Sequence, residues 1–343
     1  MSGQGSWRVP LRRGLALALA GLGIYLVLPS LTRVLSAWPQ LARLNPAWLA
    51  AGLLAEVGSF TCYFGLERLA LRTTAWFSVV TAGLTGNAIS LSVPGGAAAG
   101  AAVQYEMLGA AGFDTGTAVA GLTAISLLNV GALLALPLFA LPAILAGIAA
   151  SPGLVHAAEV GAAGFVLLAA AVAAALHADW PLEAIGRALQ WLRNRLVRHR
   201  PPLTGLEERL LTNRDSVKHV LGLKWRQTVA LTAGRVGLDF CCLLAALTAT
   251  GAHPQPSLVL LAYAAANVIE LIPITPGGLG LVEASLGSLL ILAGVHAGTA
   301  FVATLAYRLA SYWLPLAAGL PAHALFRHRY GPPRKRSAAR ESE

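Results

Sequence analysis

The stretch Asn267-Val-Ile-Glu270-Leu-Ile-Pro273-Ile-Thr-Pro276-Gly277-Gly278-Leu-Gly280-Leu-Val-Glu283 reads as an apolar helix that breaks and then resumes. Proline has no N–H to donate and clashes with the preceding turn, and glycine takes backbone shapes other residues resist. A second break stands 182 residues earlier, in Asn87-Ala-Ile89-Ser-Leu91-Ser-Val-Pro94-Gly95-Gly96. At that spacing Ala111-Gly112 falls on Ala293-Gly294, and Gly116-Thr117-Ala118 on Gly298-Thr299-Ala300. Upstream, Asn-x-Ile-x-Leu recurs after a two-residue shift.

The surroundings of both breaks belong to a lipid-embedded chain. Of 343 residues, 56% are hydrophobic and 12% charged, and the mean hydropathy is +0.66. An average soluble domain carries about twice that charge. A spanning helix takes about 20 mostly apolar residues, and six segments read as full spans: 14–34, 46–66, 116–138, 153–176, 228–250 and 298–323. The first reads as an uncleaved span, not a signal peptide. Two further apolar regions, 75–112 and 258–297, are each interrupted by Pro-Gly-Gly. The fold expected is an all-α polytopic membrane bundle. Its repeat units are one span, one broken hairpin and one span, over 46–138 and 228–323. Cys62, Cys241 and Cys242 lie inside apolar runs without ligand spacing and read as small hydrophobes.

The net charge of +10 is a topology signal here, since the basic residues lie between apolar runs. Placing the N-terminus in the cytoplasm puts 21 of the 25 Lys and Arg inside: Arg8, Arg12, Arg13, Arg68, Arg72, the ten of the basic linker 177–227, Arg327, Arg329 and the four of the tail 331–343. Only Arg33 and Arg43 then lie outside, while Arg235 and Arg308 lie within spans. The expected location is a bacterial inner membrane with both termini cytoplasmic. On this count the first hairpin opens inward and the second outward, so the halves are inverted. Re-entrant hairpins and complete pairs of spans satisfy the count equally. Leu182 to Val197 has the apolar spacing of a surface-lying or bundle-packed amphipathic helix, and the tail reads as disordered.

Inverted repeats with broken helices are a transporter architecture, with the site near the midplane. A break cannot face lipid unpaired, so it lines a wet cavity or is buried in protein. Its free N–H groups favour an anionic group such as a phosphate; alternatively it is a ligand-free interhelical turn. The candidate lipid-binding residues are Asn87, Pro94, Gly95, Gly96, Asn267, Glu270, Pro276, Gly277, Gly278, Gly280, Glu283 and Arg308. Arg308 either pairs with Glu283 or takes a phosphate bidentately. Glu56, Glu106 and Asp239 are candidates for coupling or for structural ion pairs, with Glu56 and Asp239 one residue out of register between the repeats. No nucleotide, metalloprotease or nucleophile-elbow motif is present. The expectation is therefore no catalytic residues, no metal, no cofactor and no nucleic-acid partner.

The run from Ala266 through Glu283, with Tyr307-Arg308 and the stretch Asn87 to Gly100, resembles the flippase-like membrane-domain family. That family includes the transmembrane region of lysylphosphatidylglycerol synthases. The resemblance covers about residues 10–327. It implies lipid handling, with membrane lipids as partners. The chain ends at Glu343 with no aminoacyltransferase domain, so lysyl transfer is not expected. The functions carried forward are translocation of a polar-headed or anionic lipid, a lipid-binding accessory role beside a membrane enzyme, and small-solute secondary transport.

Overall fold

The computed structural model describes residues 32, 37–93, 96–145, 152–196, 224–270 and 275–331. The expected first span, most of the basic linker, the tail, and Pro94 and Gly95 lie outside these residues. Every regular element among the described residues is a helix. After one helical turn at Trp38–Leu41 come α1 (Pro46–Ala70), α2 (Trp76–Ser92), α3 (Ala97–Ala110), α4 (Thr115–Leu145), α5 (Pro152–His177) and α6 (Trp180–Leu196). Then follow α7 (Trp225–Ala249), α8 (Pro256–Glu270), α9 (Leu281–Leu292), α10 (Ala297–Arg308) and α11 (Leu314–Tyr330). Pro46–Ala70, Gly116–Ala140 and Trp225–Ala249 are long and apolar enough to cross a membrane.

The two halves are built alike, down to their caps. Gly112 and Gly294 both stand at φ +91°. The N–H of Phe113 donates to Leu108 O and that of Val295 to Leu290 O, each at 3.0 Å. These glycines close α3 and α9 in the left-handed conformation that side chains resist. Packing repeats as well: α2 lies on α3 and α11, and α8 lies on α9 and α4.

The caps also revise the register. Both α1 and α7 run 25 residues, and Arg72 (φ +51°) and Gly251 (φ +80°) turn the chain just after them. Their offset is 179 residues, not the uniform 182, because the connections differ in length. Glu56 is therefore equivalent to Arg235 and not to Asp239.

Helices α1 and α7 form the most extensive contact and run antiparallel. Gly52 sits against Cys242 and Ala245, Gly58 against Leu238, Cys62 against Gly234 and Gly65 against Leu231. Numbers rise on one helix as they fall on the other, as an inverted repeat requires of equivalent helices. Small residues make this possible: a Cβ on Gly58 would meet Leu238 Cδ1 at 3.0 Å, and one on Gly234 would meet Cys62 Sγ at 2.8 Å.

The segment expected as one span over 298–323 is helical throughout, with a π-turn, Leu309–Trp313, between α10 and α11. Pro315 explains the widening. It cannot donate to the carbonyl four residues back and its ring crowds that turn, so the chain swells by one residue. The π-turn follows directly on Arg308.

Candidate functional site

Arg308 ends α10 at 3% exposure and organises the second break. Its Nη1 donates to Glu270 Oε1 (3.2 Å), its Nε to Glu283 Oε1 (3.2 Å) and its Nη2 to the carbonyl of Gly277 (2.7 Å). The guanidinium also lies 4.6 Å from the Tyr312 ring centroid, a favourable cation–π distance. Glu283 is the N3 residue of α9, and its Oε2 accepts from the N–H of the N-cap Gly280 (2.5 Å), the half of a capping box that the N3 side chain supplies. One carboxylate thus caps the resumed helix and grips the arginine.

The backbone needs its glycines here. Gly277, Gly278 and Gly280 have φ of +52°, +68° and +80°. A Cβ on Gly277 would also drive into the Tyr312 ring and sit 2.8 Å from Leu91 Cδ2. Tyr312 Oη donates to Leu91 O (2.9 Å), tying the second break to the last turn of α2, just before the first break. Three hydroxyls nearby in the chain are buried and meet no partner among the described residues: Thr304 and Ser311, about one turn either side of Arg308, and Thr275, next to Pro276.

A second polar cluster lies between α1 and α7. Asp239 Oδ2 accepts from Tyr307 Oη (2.9 Å) and from Tyr263 Oη, and its Oδ1 is 3.7 Å from Arg235 Nη1. Arg235 also donates to Ser59 Oγ, which in turn donates to Arg235 O (2.7 Å). Glu56 completes the cluster at 1% exposure, beside Asp239 and Cys242, with neither carboxylate oxygen in hydrogen-bond geometry to a partner among the described residues.

The structure thus joins Glu270, Gly277, Gly280, Glu283 and Arg308, with Pro276 and Gly278 in the 3₁₀ turn between. The pairing of Glu283 with Arg308 is the one the spacing suggests. Gly96 is buried at the start of α3, packed against the carbonyls of Ile89 and Val93. Asn267 Nδ2 donates to Tyr263 O in its own helix (2.9 Å), so it does not bridge helices. Asn87 is half-buried, and its side chain makes no hydrogen bond among the described residues.

Glu106 is a correction. It is exposed on α3, outside both clusters. The buried acid that meets that hairpin is Glu67 of α1, whose Oε1 accepts from Gln104 Nε2 (2.7 Å) while its Oε2 meets no donor in hydrogen-bond geometry among the described residues. A signal for it exists in the sequence: Glu56, Ser59, Tyr63 and Glu67 follow helical spacing along one stripe of α1. Tyr263, Tyr307 and Tyr312 carry no such signal, since they reach their partners through the packing of distant helices. No group of three or more His, Cys, Asp or Glu able to hold a metal ion occurs among the described residues.

Long apolar helices, an interrupted helical hairpin and charge buried at the break define a multi-pass helical membrane protein. The chain belongs to the family described as the lysylphosphatidylglycerol synthase TM region, whose model matches residues 14–319. A UPF0104 membrane protein of Methanothermobacter thermautotrophicus is 36% identical over 90 residues, which is 26% of each chain. The matched stretch is therefore about a quarter of that relative's length. No solved structure matches the chain.

Proposed function

We propose that this protein moves a polar-headed or anionic phospholipid between leaflets, with the headgroup taken at the Arg308 clamp. The observation that carries this reading is the buried Arg308 at a helix break, together with the hydroxyls of Thr275, Thr304 and Ser311, near it or the break in the chain and without a partner among the described residues. Unmet hydroxyls beside a fixed cation suit a phosphate, which accepts many hydrogen bonds. Arg308 has its donors engaged, so a phosphate enters by displacing a carboxylate. Glu270 is the replaceable one. Its side chain is 31% exposed, against 10% for Glu283, and it holds a single guanidinium nitrogen. Glu283 stays as the helix cap. The family's name, which ties relatives to an aminoacylated phospholipid, agrees with a lipid substrate.

In this reading the protein is a non-catalytic, multi-pass protein of the bacterial cell membrane. Both termini and the 177–227 linker are cytoplasmic, following the distribution of Lys and Arg. Purified protein in liposomes should carry fluorescent phosphatidylglycerol to the opposite leaflet, read by dithionite quenching. Arg308→Gln should slow that movement at least tenfold while remaining monodisperse. Folded wild-type protein that moves no lipid across a panel of anionic and zwitterionic headgroups would sink the proposal.

A second reading, a lipid-binding accessory to a membrane enzyme, is favoured by α6. Its Trp180, Trp191, Arg187 and Arg195 are exposed, a composition suited to an anionic surface. Removing α6 should abolish the cellular role without changing lipid movement if this reading is correct.

A further inference from the structure

Three buried carboxylates, Glu56, Glu67 and Asp239, lie outside the headgroup site, and the first two have oxygens that meet no partner among the described residues. Among the described residues neither oxygen of Glu56 reaches a partner in hydrogen-bond geometry, although Asp239 and Cys242 lie beside it, and Glu67 Oε1 takes the Gln104 amide while Oε2 meets no donor in such geometry, with the Tyr63 hydroxyl nearby. Glu56 and Glu67 stand eleven residues apart on one stripe of α1, about 16 Å along the helix axis, with Ser59 and Tyr63 between them. Arg235 of α7 reaches into that interval: it bonds Ser59, and its guanidinium lies 6.0 Å from the Tyr63 ring centroid. Toward the other end, Arg235 faces Asp239, which accepts from Tyr307, the neighbour of Arg308 in the chain. Polar side chains therefore line the seam from Tyr307, next to the clamp in the chain, past Asp239, Arg235, Ser59 and Tyr63 to Glu67.

A structural ion-pair network has no need of two further carboxylates with open valences. An acid at membrane depth without a partner is costly as an ion and is a recurring element of proton relays. Glu56 also lines a cavity of about 440 Å³ between α1, α2 and α11, walled by Phe60, Phe64, Trp76 and Leu314. Its titratable and charged neighbours come from α7: Asp239, Arg235 and Cys242. From α2 and α11 it meets only apolar walls at the cavity. Around Glu67 stand Tyr63 on its own helix and Gln104 and Tyr105 on α3.

We infer that lipid movement by this protein is coupled to protons, carried on the carboxylates of Glu56 and Glu67 and passed along the α1–α7 seam. This rests on the lipid-moving reading above. Each proton leaves one aqueous phase, binds a carboxylate oxygen, and is released to the other phase. No bond other than O–H is made or broken. One proton travelling with a lipid of single negative charge leaves the cycle electroneutral.

The test uses the full chain in vesicles of phosphatidylglycerol and phosphatidylcholine with trapped pyranine and an imposed pH difference of about two units. A one-to-one cycle allows a leaflet ratio of up to about 100 to 1 at that gradient. The expected result is accumulation of labelled phosphatidylglycerol in one leaflet, reversed when the gradient is reversed, with a matching pyranine signal. Glu56→Gln and Glu67→Gln should each reduce the proton signal at least tenfold, and Glu106→Gln should not. Lipid movement that ignores the gradient, with a flat pyranine trace, overturns the coupling and leaves the lipid-moving reading intact. If no lipid moves at all, infrared difference spectra across pH decide the proton site alone. Carboxyl bands lost in each Gln variant sustain it, and spectra identical to wild type remove it.

Discussion

Glu283 holds two hydrogen bonds with two oxygens, and Glu270 holds one. Glu283→Gln keeps the shape but retains only one accepting oxygen. Either the Gly280 N–H or the Arg308 Nε–H must then face an NH2 group. A hydrogen bond involving a charged partner contributes about 1.5–3 kcal/mol, and a stranded buried donor costs a similar amount. Arg308 keeps Glu270 and the Gly277 carbonyl, so the net loss is about 2 kcal/mol. Glu270→Gln loses charge at one guanidinium nitrogen where water can reach, at about 1 kcal/mol or less. Arg308→Met strands two acids together and should cost the most, about 3–5 kcal/mol. Tryptophan fluorescence during thermal unfolding in detergent should rank the variants Arg308→Met, then Glu283→Gln, then Glu270→Gln. A loss in Glu270→Gln equal to or larger than that in Glu283→Gln would refute the double role given to Glu283. In liposomes, a folded Glu283→Gln protein should also lose lipid movement, and normal movement would make the residue purely structural.

Gly277→Ala should destabilise by about 2 kcal/mol or more, from a positive φ together with the collision with Tyr312 and Leu91, whereas Gly280→Ala meets no atom and bears only the backbone cost of about 1 kcal/mol. Equal melting temperatures for the two would contradict the packing at the break. A Cβ on Gly234 would lie 3.7 Å from Cys62 Cβ, within the range of a disulfide. Gly234→Cys, with Cys241 and Cys242 changed to Ser, should therefore cross-link to Cys62 under mild oxidation. Peptide mapping that finds both thiols free would exclude the antiparallel α1–α7 register. Gln104→Leu should lower stability by about 1–3 kcal/mol by stranding Glu67, while Glu106→Gln on the exposed face should change the melting temperature by less than a degree or so.

The break at Pro276-Gly277-Gly278 was legible because its cause is local. Proline and glycine act on their own backbone, so the hairpin and the repeat both follow from adjacent residues. The pairing of Glu283 with Arg308 was one of two readings left open by the sequence, the other being a phosphate on Arg308, and tertiary packing supplied the contact. Glu106 and Glu67 show the limit. Both sit in apolar surroundings, and only the face each helix turns inward separates them. On α1 the stripe from Glu56 to Glu67 marks that face, but α3 is rich in Ala and Gly and has no stripe to read.

Sequence alone determined that this chain is helical, membrane-embedded, duplicated and broken twice, because hydropathy, charge distribution and Pro-Gly-Gly act through composition and short spacing. Tertiary structure decided where the charges meet. The caps moved the register from 182 to 179 residues and made Glu56 the counterpart of Arg235. Antiparallel packing of α1 on α7 then brought these opposite charges to one seam. Pro315 swelled the chain into a π-turn beyond Arg308, and Tyr312 within that turn reached Leu91 in the other half. Those contacts depend on how two helices cross, which no local run of residues encodes.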